Sequence, residues 1–281
     1  MAQRLRRSVL YMPASNARAV EKARALPCDA VILDLEDGVS ADNKTEARGQ
    51  MAAELARGGF GAREVVVRVN AIDSAWVADD LMAVVAHPPH AVLFPKVNSA
   101  TDVEMAEYLM TKAGLPASVK LWAMIETPDG ILNAASIGRA GRLVDCLVVG
   151  TNDLAKELGV PNTMDRASMV TALQMAVLGA RAAGLSVIDG VYNALADADG
   201  YMAQCAQGKA FGFDGKTCIH PNQVEGANAA FGPSADEIED AQKIIAAWEA
   251  SDQSGVIQVD GVMVEELHVD AARRLLETAG V

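Results

Sequence analysis

The chain has 281 residues, of which 51% are hydrophobic and 4% aromatic, and its formal net charge is −13. This composition provides an ample core for one large α/β domain or two smaller ones, and it offers few rings on which bases could stack. An acidic chain repels nucleic acid, and no apolar stretch approaches the length of a membrane span, so we expect a soluble, cytoplasmic protein.

A cluster of basic residues, Arg4, Arg6 and Arg7, lies near the start of the chain. It precedes the apolar run SVLYM, which is too short for the hydrophobic region of a signal peptide. We interpret the cluster as a solvated N-terminus. The cysteines are far apart and form no CxxC pair, which argues against a zinc ribbon or a disulfide framework.

Short β-branched runs alternate with alanine-rich helical stretches along most of the chain. The runs are almost continuously apolar, which is typical of parallel strands buried on both faces. Several helical stretches stop at a glycine suited to a C-cap, namely Gly58, Gly114 and Gly184. Strands are predicted at 8–12, 30–34, 64–69, 91–95, 120–125, 146–150, 186–190 and 212–216.

Eight βα units in a chain of this length predict a TIM (β/α)8 barrel over residues 1–230. A doubly wound open sheet is the alternative, and the lack of a GxGxxG motif after the first strand weighs against it. Both folds belong to the α/β class.

Residues 231–281 are additional to the barrel. They begin with a predicted amphipathic helix that Ser234 and Glu237 would open with a capping box. The pair Asp260-Gly261 lies between alternating apolar residues and predicts a β-hairpin. A last helix is predicted from about Leu267 to Thr278. We expect this C-terminal helix–hairpin–helix extension to pack on a neighbouring subunit.

Polar and charged residues follow nearly every predicted strand. In a TIM barrel the active site lies at the C-terminal ends of the strands, so these residues should converge on one mouth. Charges gathered there must be paired, metal-bound or functional, because unpaired burial of charge is costly. In chain order they are Tyr11, Asn16, Arg18, Asp34, Glu36, Asp37, Arg68, Asn70, Lys96, Glu126, Thr151, Asn152, Asp153, Asp189 and His220.

Two of these carboxylates, Glu126 and Asp153, follow adjacent predicted strands. With no His or Cys predicted nearby, they suit a hard, oxygen-binding cation, of which Mg²⁺ fits best. A helix start explains Asp153 alone about as well, because TNDLAKEL can simply begin a helix. Arg68 is placed to neutralise a substrate carboxylate through a bidentate contact.

Successive blocks of the sequence resemble the citrate lyase β-subunit-like enzymes of the HpcH/HpaI aldolase superfamily, which are Mg²⁺-dependent CoA-ester lyases. Within that group the sequence is most similar to malyl-CoA and citramalyl-CoA lyases and to malyl-CoA thioesterases. The blocks cover almost the whole chain in the same order. They read RSVLYMPASNARAVEKA, CDAVILDLEDGVSADNKTEAR, VVVRVN, LFPKV, WAMIETPDGILNA, VVGTNDLAKELG, VIDGVYNA and FDGKTCIHPNQ.

The resemblance implies a homotrimer or homohexamer that uses Mg²⁺ and binds an acyl-CoA substrate. It implies that Glu126 and Asp153 hold the metal, that Arg68 holds the oxo-acid part of the substrate, and that Glu36 and Asp37 support both. It also implies substrate-binding residues near the strand ends, CoA-phosphate contacts on the first helix and adenine contacts in the IHP segment. The substrate-binding residues are Tyr11, Gly150, Thr151 and Asn152. The CoA-phosphate contacts are Arg18 and Lys22, and the adenine contacts are His220 and Pro221.

The implied reaction is a retro-Claisen cleavage of a short 3-hydroxyacyl-CoA, such as (3S)-malyl-CoA or citramalyl-CoA, into acetyl-CoA and glyoxylate or pyruvate. In the lyases resembled, the acid/base is an Asp of an MVD block that an adjacent subunit contributes. Here the block reads VMVEEL, which puts Glu265 at that position, while Glu266 serves as a charge matched to the helix dipole. We place C–C cleavage first.

The glutamate at position 265 also resembles the malyl-CoA thioesterase branch. Hydrolysis of (3S)-malyl-CoA to malate and CoA is therefore the alternative. A citrate lyase β subunit that works on a carrier protein, or a non-catalytic CoA-binding relative, is a further alternative.

Overall fold

The structure is a computed structural model that describes residues 4–251 and 255–281; positions 1–3 of the predicted barrel segment and 252–254 of the predicted extension lie outside it. The barrel strands are β1 (Ser8–Pro13), β2 (Ala30–Asp34), β3 (Glu64–Arg68), β4 (Ala91–Phe94), β5 (Lys120–Ile125), β6 (Val144–Val149), β7 (Ser186–Asp189) and β8 (Gly215–Cys218). They are parallel and close in sequence order, with β8 paired back to β1. This topology confirms the TIM barrel and excludes the doubly wound sheet.

Helices surround the barrel, and glycines end several of them. Gly58, Gly114 and Gly184 have positive φ and end, as predicted, the helices Lys44–Arg57, Ala100–Ala113 and Val170–Ala183. The helices up to residue 231 are α1 (Ala17–Ala23), α2 (Lys44–Arg57), α3 (Val77–Val84), α4 (Ala100–Ala113), α5 (Pro128–Leu132), α6 (Ala134–Ala140), α7 (Thr151–Leu158), α8 (Val170–Ala183), α9 (Ala198–Phe211) and α10 (Val224–Phe231).

The strands are buried along almost their whole length, as their continuous apolar runs predict. Inward-facing side chains such as Ile32, Leu93, Trp122, Val148 and Ile188 fill the centre of the barrel. The barrel is therefore a packed core and not a channel, and its polar residues concentrate at the strand ends.

The last strand does not lie at the predicted 212–216. Gly212 has φ 95° and caps α9, so the chain turns there instead of extending. The strand begins only at Gly215, where a Cβ would lie 1.8 Å from the backbone oxygen of Arg6. A residue without a side chain is required at this position, because β8 meets β1 there.

The interpretation of the basic cluster as a solvated N-terminus is wrong for Arg6. Its side chain is 6% exposed and holds Glu64 through two hydrogen bonds of 2.8 and 2.9 Å. It also pairs with Asp145, and its guanidinium lies 4.7 Å from the ring centroid of Trp122. Arg7 forms an ion pair with Asp29. Arg6 and Arg7 therefore close the N-terminal end of the barrel.

The chain divides into two compact units: Arg6–Asn228 holds the barrel, and Ala229–Val281 belongs to the other. The second unit contains α11 (Ala235–Glu249), β9 (Val256–Val259), β10 (Val262–Glu265) and α12 (Glu266–Ala279). Ser234 and Glu237 form the predicted capping box.

The predicted hairpin is present, since β9 and β10 pair antiparallel across Asp260 and Gly261. Both turn residues have positive φ, 50° and 83°, as a two-residue type I′ turn requires. Trp248, Val264 and Val269 form a small core between the hairpin and the helices of this unit.

Two absences hold for the part of the chain that the structure describes. None of its helices is long and apolar enough to cross a membrane. Its four cysteines are buried free thiols, in agreement with the prediction against a disulfide framework.

Candidate active site

A pocket of about 290 Å³ lies at the C-terminal ends of the barrel strands. Most of the polar residues predicted to follow the strands line this pocket, together with Gly150. They are Tyr11, Asp34, Asp37, Arg68, Glu126, Thr151, Asn152 and Asp153. Its other walls are Pro13, Gly38, Met124, Val149, Val191, Asn193, Thr217 and Ile219. The pocket therefore combines an apolar lining with one arginine and four carboxylate residues, so its acidic side chains outnumber its one basic side chain.

Arg68 lies at the end of β3 and is held from several sides. Its Nε and Nη2 atoms are each 2.7 Å from the carboxylate of Asp34. Its Nη1 lies 2.8 Å from Glu36 and 3.6 Å from Asp37, and the Tyr11 ring centroid is 4.9 Å from its Cζ. Asp34 thus fixes the guanidinium plane, and the edge away from Asp34 consists of Nη1, which is already paired with Glu36, and the second Nη2 hydrogen.

Glu126 follows β5 and is 3% exposed. Burial raises the pKa of its carboxyl to about 8, and the negative charges of Glu36 and Asp153 add to the rise. Its Oε1 accepts a hydrogen bond of 3.0 Å from the backbone N–H of Lys96. The group therefore lies in a region with an excess of negative charge.

The first turn of α7 forms one wall of the pocket. Gly150 is its N-cap, and a Cβ on this glycine would lie 2.2 Å from Oε2 of Glu126. Because glycine has no capping side chain, the first N–H groups of the helix are left for another acceptor. The buried Oγ1 of Thr151 also has no hydrogen-bond partner in the structure.

The carboxylates of this pocket fit a divalent cation. Glu126 and Asp153 both line it, and the pKa of Glu126 is raised first by burial and then by repulsion from Glu36 and Asp153, which a cation would relieve. Within the described ranges no group of three or more His, Cys, Asp or Glu forms a complete metal cage. Mg²⁺ is commonly held by one or two carboxylates together with waters and substrate oxygens, so this donor set suits it.

Lys96 is a member of the site to which the sequence assigned no role. Its Nζ lies 3.1 Å from Oε1 of Glu36 and 3.9 Å from Oδ2 of Asp153. Its position directly after β4, in the block LFPKV, is the sequence feature that could have identified it as a site residue. The anchoring role of Asp34 was missed in the same way, although it stands at the end of β2.

Several of the predicted residues do not line the pocket. Arg18 and Lys22 are exposed on α1. His220 caps the short 3-10 helix Pro221–Gln223 by accepting the N–H of Asn222 at Nδ1, at 3.2 Å. Glu36 is buried and contacts Nη1 of Arg68. The assignments of Arg18, Lys22, His220 and Pro221 to CoA remain predictions.

Asp189, at the end of β7, does not reach the pocket either. It is completely buried and forms ion pairs with Arg166 and Lys216. Its carboxylate is therefore paired inside the barrel. The position of Asp189 at the end of a strand does not make it a residue of the site.

Glu265 belongs to the second unit, where it ends β10 and is the N-cap residue of α12. Its backbone N–H donates to Nδ1 of His268 at 3.0 Å. Glu266 is exposed in the first turn of α12, as expected of a charge matched to the helix dipole. The catalytic role of Glu265 remains a prediction.

A TIM barrel with carboxylates and a fixed arginine at its C-terminal mouth has the arrangement of the barrel enzymes, whose active sites lie at this end. Within that class the chain belongs to the HpcH/HpaI aldolase/citrate lyase family, whose model matches residues 7–221. This confirms the predicted family. It also confirms, at the level of the family, that the protein is an enzyme.

Known proteins similar to this chain include two enzymes and one crystal structure. The chain is 48% identical over 275 residues to a (3S)-malyl-CoA thioesterase of Cereibacter sphaeroides, covering 97% of this chain and 94% of the relative. It is 32% identical over 283 residues to the citrate lyase subunit beta of Escherichia coli, covering 98% and 94%. The structure of CitE from Mycobacterium tuberculosis with magnesium, acetoacetate and coenzyme A has a TM-score of 0.81 and 29% identity, with 98% of each chain covered.

Proposed function

We propose that the protein hydrolyses the thioester of (3S)-malyl-CoA to malate and CoA in a Mg²⁺-dependent reaction. The observation that carries this proposal is the 48% identity to the (3S)-malyl-CoA thioesterase across almost the whole of both chains. The sequence blocks alone place C–C cleavage before hydrolysis, and this identity reverses that order. Glu265, which resembles the thioesterase branch, agrees with hydrolysis.

The pocket supports a substrate of this kind. In the proposal, the guanidinium edge of Arg68 away from Asp34 binds the malyl carboxylate, which shares Nη1 with Glu36. The uncapped N–H groups after Gly150 bind a further substrate oxygen. The similar CitE structure contains coenzyme A, which supports an acyl-CoA as the ligand.

Glu126 and Asp153 would hold Mg²⁺, as the magnesium in the CitE structure also suggests. When bound, the ion polarises a substrate oxygen and orients the acyl group. Glu265, reaching the pocket from a neighbouring subunit, takes a proton from the water that attacks the thioester carbonyl carbon. The C–S bond then breaks, and the CoA thiolate leaves and takes up a proton.

Cleavage of the C–C bond is the second candidate. It is favoured by the 32% identity to citrate lyase subunit beta and by the presence of acetoacetate and coenzyme A in the CitE structure. In this reaction Glu265 would instead protonate the carbon of the thioester enolate that cleavage leaves behind.

Incubation of the pure protein with (3S)-malyl-CoA and Mg²⁺ distinguishes the two reactions when glyoxylate and free thiol are measured separately. Hydrolysis gives free CoA and malate without glyoxylate, whereas C–C cleavage gives glyoxylate and acetyl-CoA. If neither product forms, and EDTA changes nothing, both candidates are wrong for this substrate.

Glu265→Asp and Glu265→Gln form a matched pair for the second step of the test. The Gln variant removes the base, so turnover should fall about 10²-fold or more. The Asp variant keeps the carboxylate but moves it by one methylene, and a shift near 1 Å costs on the order of 10²-fold. Full hydrolysis by the Gln variant would show that Glu265 is not the base.

A further inference from the structure

Lys96 has a backbone conformation that a lysine rarely adopts. Its φ is 55°, in the left-handed region that favours glycine. Such strain persists only where neighbouring contacts impose it. Here the N–H of Lys96 donates to Oε1 of Glu126 at 3.0 Å, and the next N–H, of Val97, donates to the backbone oxygen of Met124 at 3.0 Å.

The side chain of the same residue reaches two further carboxylates. Its Nζ is 3.1 Å from Oε1 of Glu36 and 3.9 Å from Oδ2 of Asp153. Burial acts to lower the pKa of Lys96, but the hydrogen bond to Glu36 and the other nearby carboxylates outweigh it and raise the pKa. One residue thus connects Glu126, Asp153 and Glu36 through its backbone and its ammonium group.

These carboxylates need a counter-charge, because like charges this close repel one another. The lysine side chain is 45% exposed on a flexible stem, so its ammonium can move out toward solvent. Glu36 keeps Arg68 as a partner when it does. Among these carboxylates, only Asp153 and Glu126 are the proposed metal ligands. An incoming cation therefore competes with the ammonium for electrostatic attraction to these two carboxylates.

We propose that Lys96 is a positioning residue with two actions on the metal site. Its backbone N–H orients the Glu126 carboxylate by a hydrogen bond. Its ammonium is an internal counter-ion that offsets the repulsion between the carboxylates until a divalent cation binds and takes over that role. The ammonium therefore weakens Mg²⁺ binding while it stabilises the metal-free pocket. This inference rests on the proposed function only in assigning Glu126 and Asp153 to the metal.

The test is calorimetric titration of Mg²⁺ into the full-length protein and its variants, without substrate. Lys96→Met removes the charge and keeps the length of the side chain, so the Kd for Mg²⁺ should fall about tenfold. Lys96→Arg keeps the charge and should bind Mg²⁺ as the unaltered protein does. Lys112→Met is the matched control, because it removes the charge of an exposed lysine on α4 and should leave the Kd unchanged.

Thermal unfolding gives a second readout that a merely structural lysine would not produce. In EDTA, Lys96→Met should have a lower Tm than the unaltered protein, and saturating Mg²⁺ should raise its Tm by more. Lys96→Gly should bind Mg²⁺ as tightly as Lys96→Met but have a higher Tm in EDTA, since glycine adopts the positive φ without strain.

An unchanged or higher Kd in Lys96→Met overturns the counter-ion role, and so does an equal fall in Lys112→Met. Absence of saturable Mg²⁺ binding to the unaltered protein overturns the inference together with the metal assignment. The two proposals fail separately in one further case. If the Kd values follow the expected order but (3S)-malyl-CoA is not hydrolysed, the inference stands and the proposed substrate is wrong.

Discussion

Asp189 is completely buried, and two cationic side chains contact its carboxylate. Its Oδ2 lies 3.0 Å from Nζ of Lys216, and its Oδ1 lies 2.6 Å from Nη1 of Arg166. Lys216 also donates to the backbone oxygen of Gly190 at 2.6 Å and to Oε1 of Gln204 at 2.8 Å. This network fastens the start of the loop after β7, from which Val191 and Asn193 reach the pocket.

Asp189→Asn should cost about 3–5 kcal/mol in the free energy of unfolding, because two buried cations lose their shared carboxylate. Urea unfolding followed by circular dichroism measures this loss. Glu21→Gln is the control, since Glu21 is 52% exposed and its pairs with Arg24 and Arg57 should contribute about 0–1 kcal/mol. A loss for Asp189→Asn no larger than the control would show that the network has little effect on stability.

Glu126→Ala and Asp153→Ala should each abolish Mg²⁺-dependent turnover, because the proposed site offers the ion only these two carboxylates. Turnover of (3S)-malyl-CoA at several Mg²⁺ concentrations tests this expectation, with circular dichroism to verify folding. Glu157→Ala, an exposed carboxylate of the same helix as Asp153, should retain full turnover. Unchanged turnover in either of the first two variants would remove that residue from the metal site.

At this scale the sequence predicts which residues reach the mouth better than it predicts their partners. Arg68, Glu126 and Asp153 could be placed because each follows an apolar run that had to be a strand. The pairing of Asp34 with Arg68, and the burial of Asp189 against Arg166, depend on side-chain directions between distant segments. No local pattern encodes those directions, and for the same reason no local pattern assigns a role to Lys96.

The start of α7 shows how one element shapes the pocket. Gly150 connects β6 to this helix with an ordinary negative φ of −92°, so its lack of a side chain is not a requirement of the backbone. It is a requirement of space, because Oε2 and Cβ of Glu126 would lie 2.2 and 2.7 Å from an added Cβ.

Gly150→Ala should therefore push Glu126 away and weaken Mg²⁺ binding about tenfold or more, while the barrel still folds. Calorimetry gives the Kd, and circular dichroism verifies the fold. Gly49→Ala is the matched control: Gly49 lies within α2 with nothing inside 4 Å of an added Cβ, and the change should stabilise the helix by about 0.5–1 kcal/mol. Equal Kd values for both variants would contradict the steric account.

Elements with a strong local cause were predicted well. The hairpin follows from Asp260-Gly261, which can adopt two successive positive φ values, and the cap of α11 follows from Ser234 and Glu237. The sequence predicts the start of β8 three residues too early, because the residues around Gly212 do not reveal that α9 needs a glycine cap there. The start of that strand is decided by its contact with β1, which is a tertiary effect.

A site shared between subunits would make two inactive variants rescue each other. Arg68→Ala destroys the barrel side of the proposed site, and Glu265→Gln destroys the contribution of the extension. If both are unfolded, mixed in equal amounts and refolded, about a quarter of the sites in a cyclic oligomer should combine two intact parts.

Thiol release from (3S)-malyl-CoA measures the rescue, and each variant refolded alone is the control. Activity near one quarter of the unaltered protein supports a shared site. No gain over the separate variants would mean that Glu265 serves its own barrel or has no catalytic role.

For the whole molecule, the barrel could be predicted because eight apolar strands alternate with helices in a chain of sufficient length. The division at Asn228 and Ala229 matches a change in pattern from βα units to a helix and a hairpin. Assembly is different, because it depends on the shape of surfaces that no periodicity encodes. The expected trimer or hexamer therefore came from the family resemblance alone and stays a prediction.

The closure of the barrel through β1 and β8 has a consequence for synthesis on the ribosome. Ser8 pairs with Lys216, and Val9 with Thr217, so the edge of the first strand has no partner until most of the chain has been translated. An open, apolar strand edge is a template for wrong pairing. The nascent chain should therefore depend on chaperones until residue 218 has left the exit tunnel, and slower translation of β8 should lower the yield of native protein.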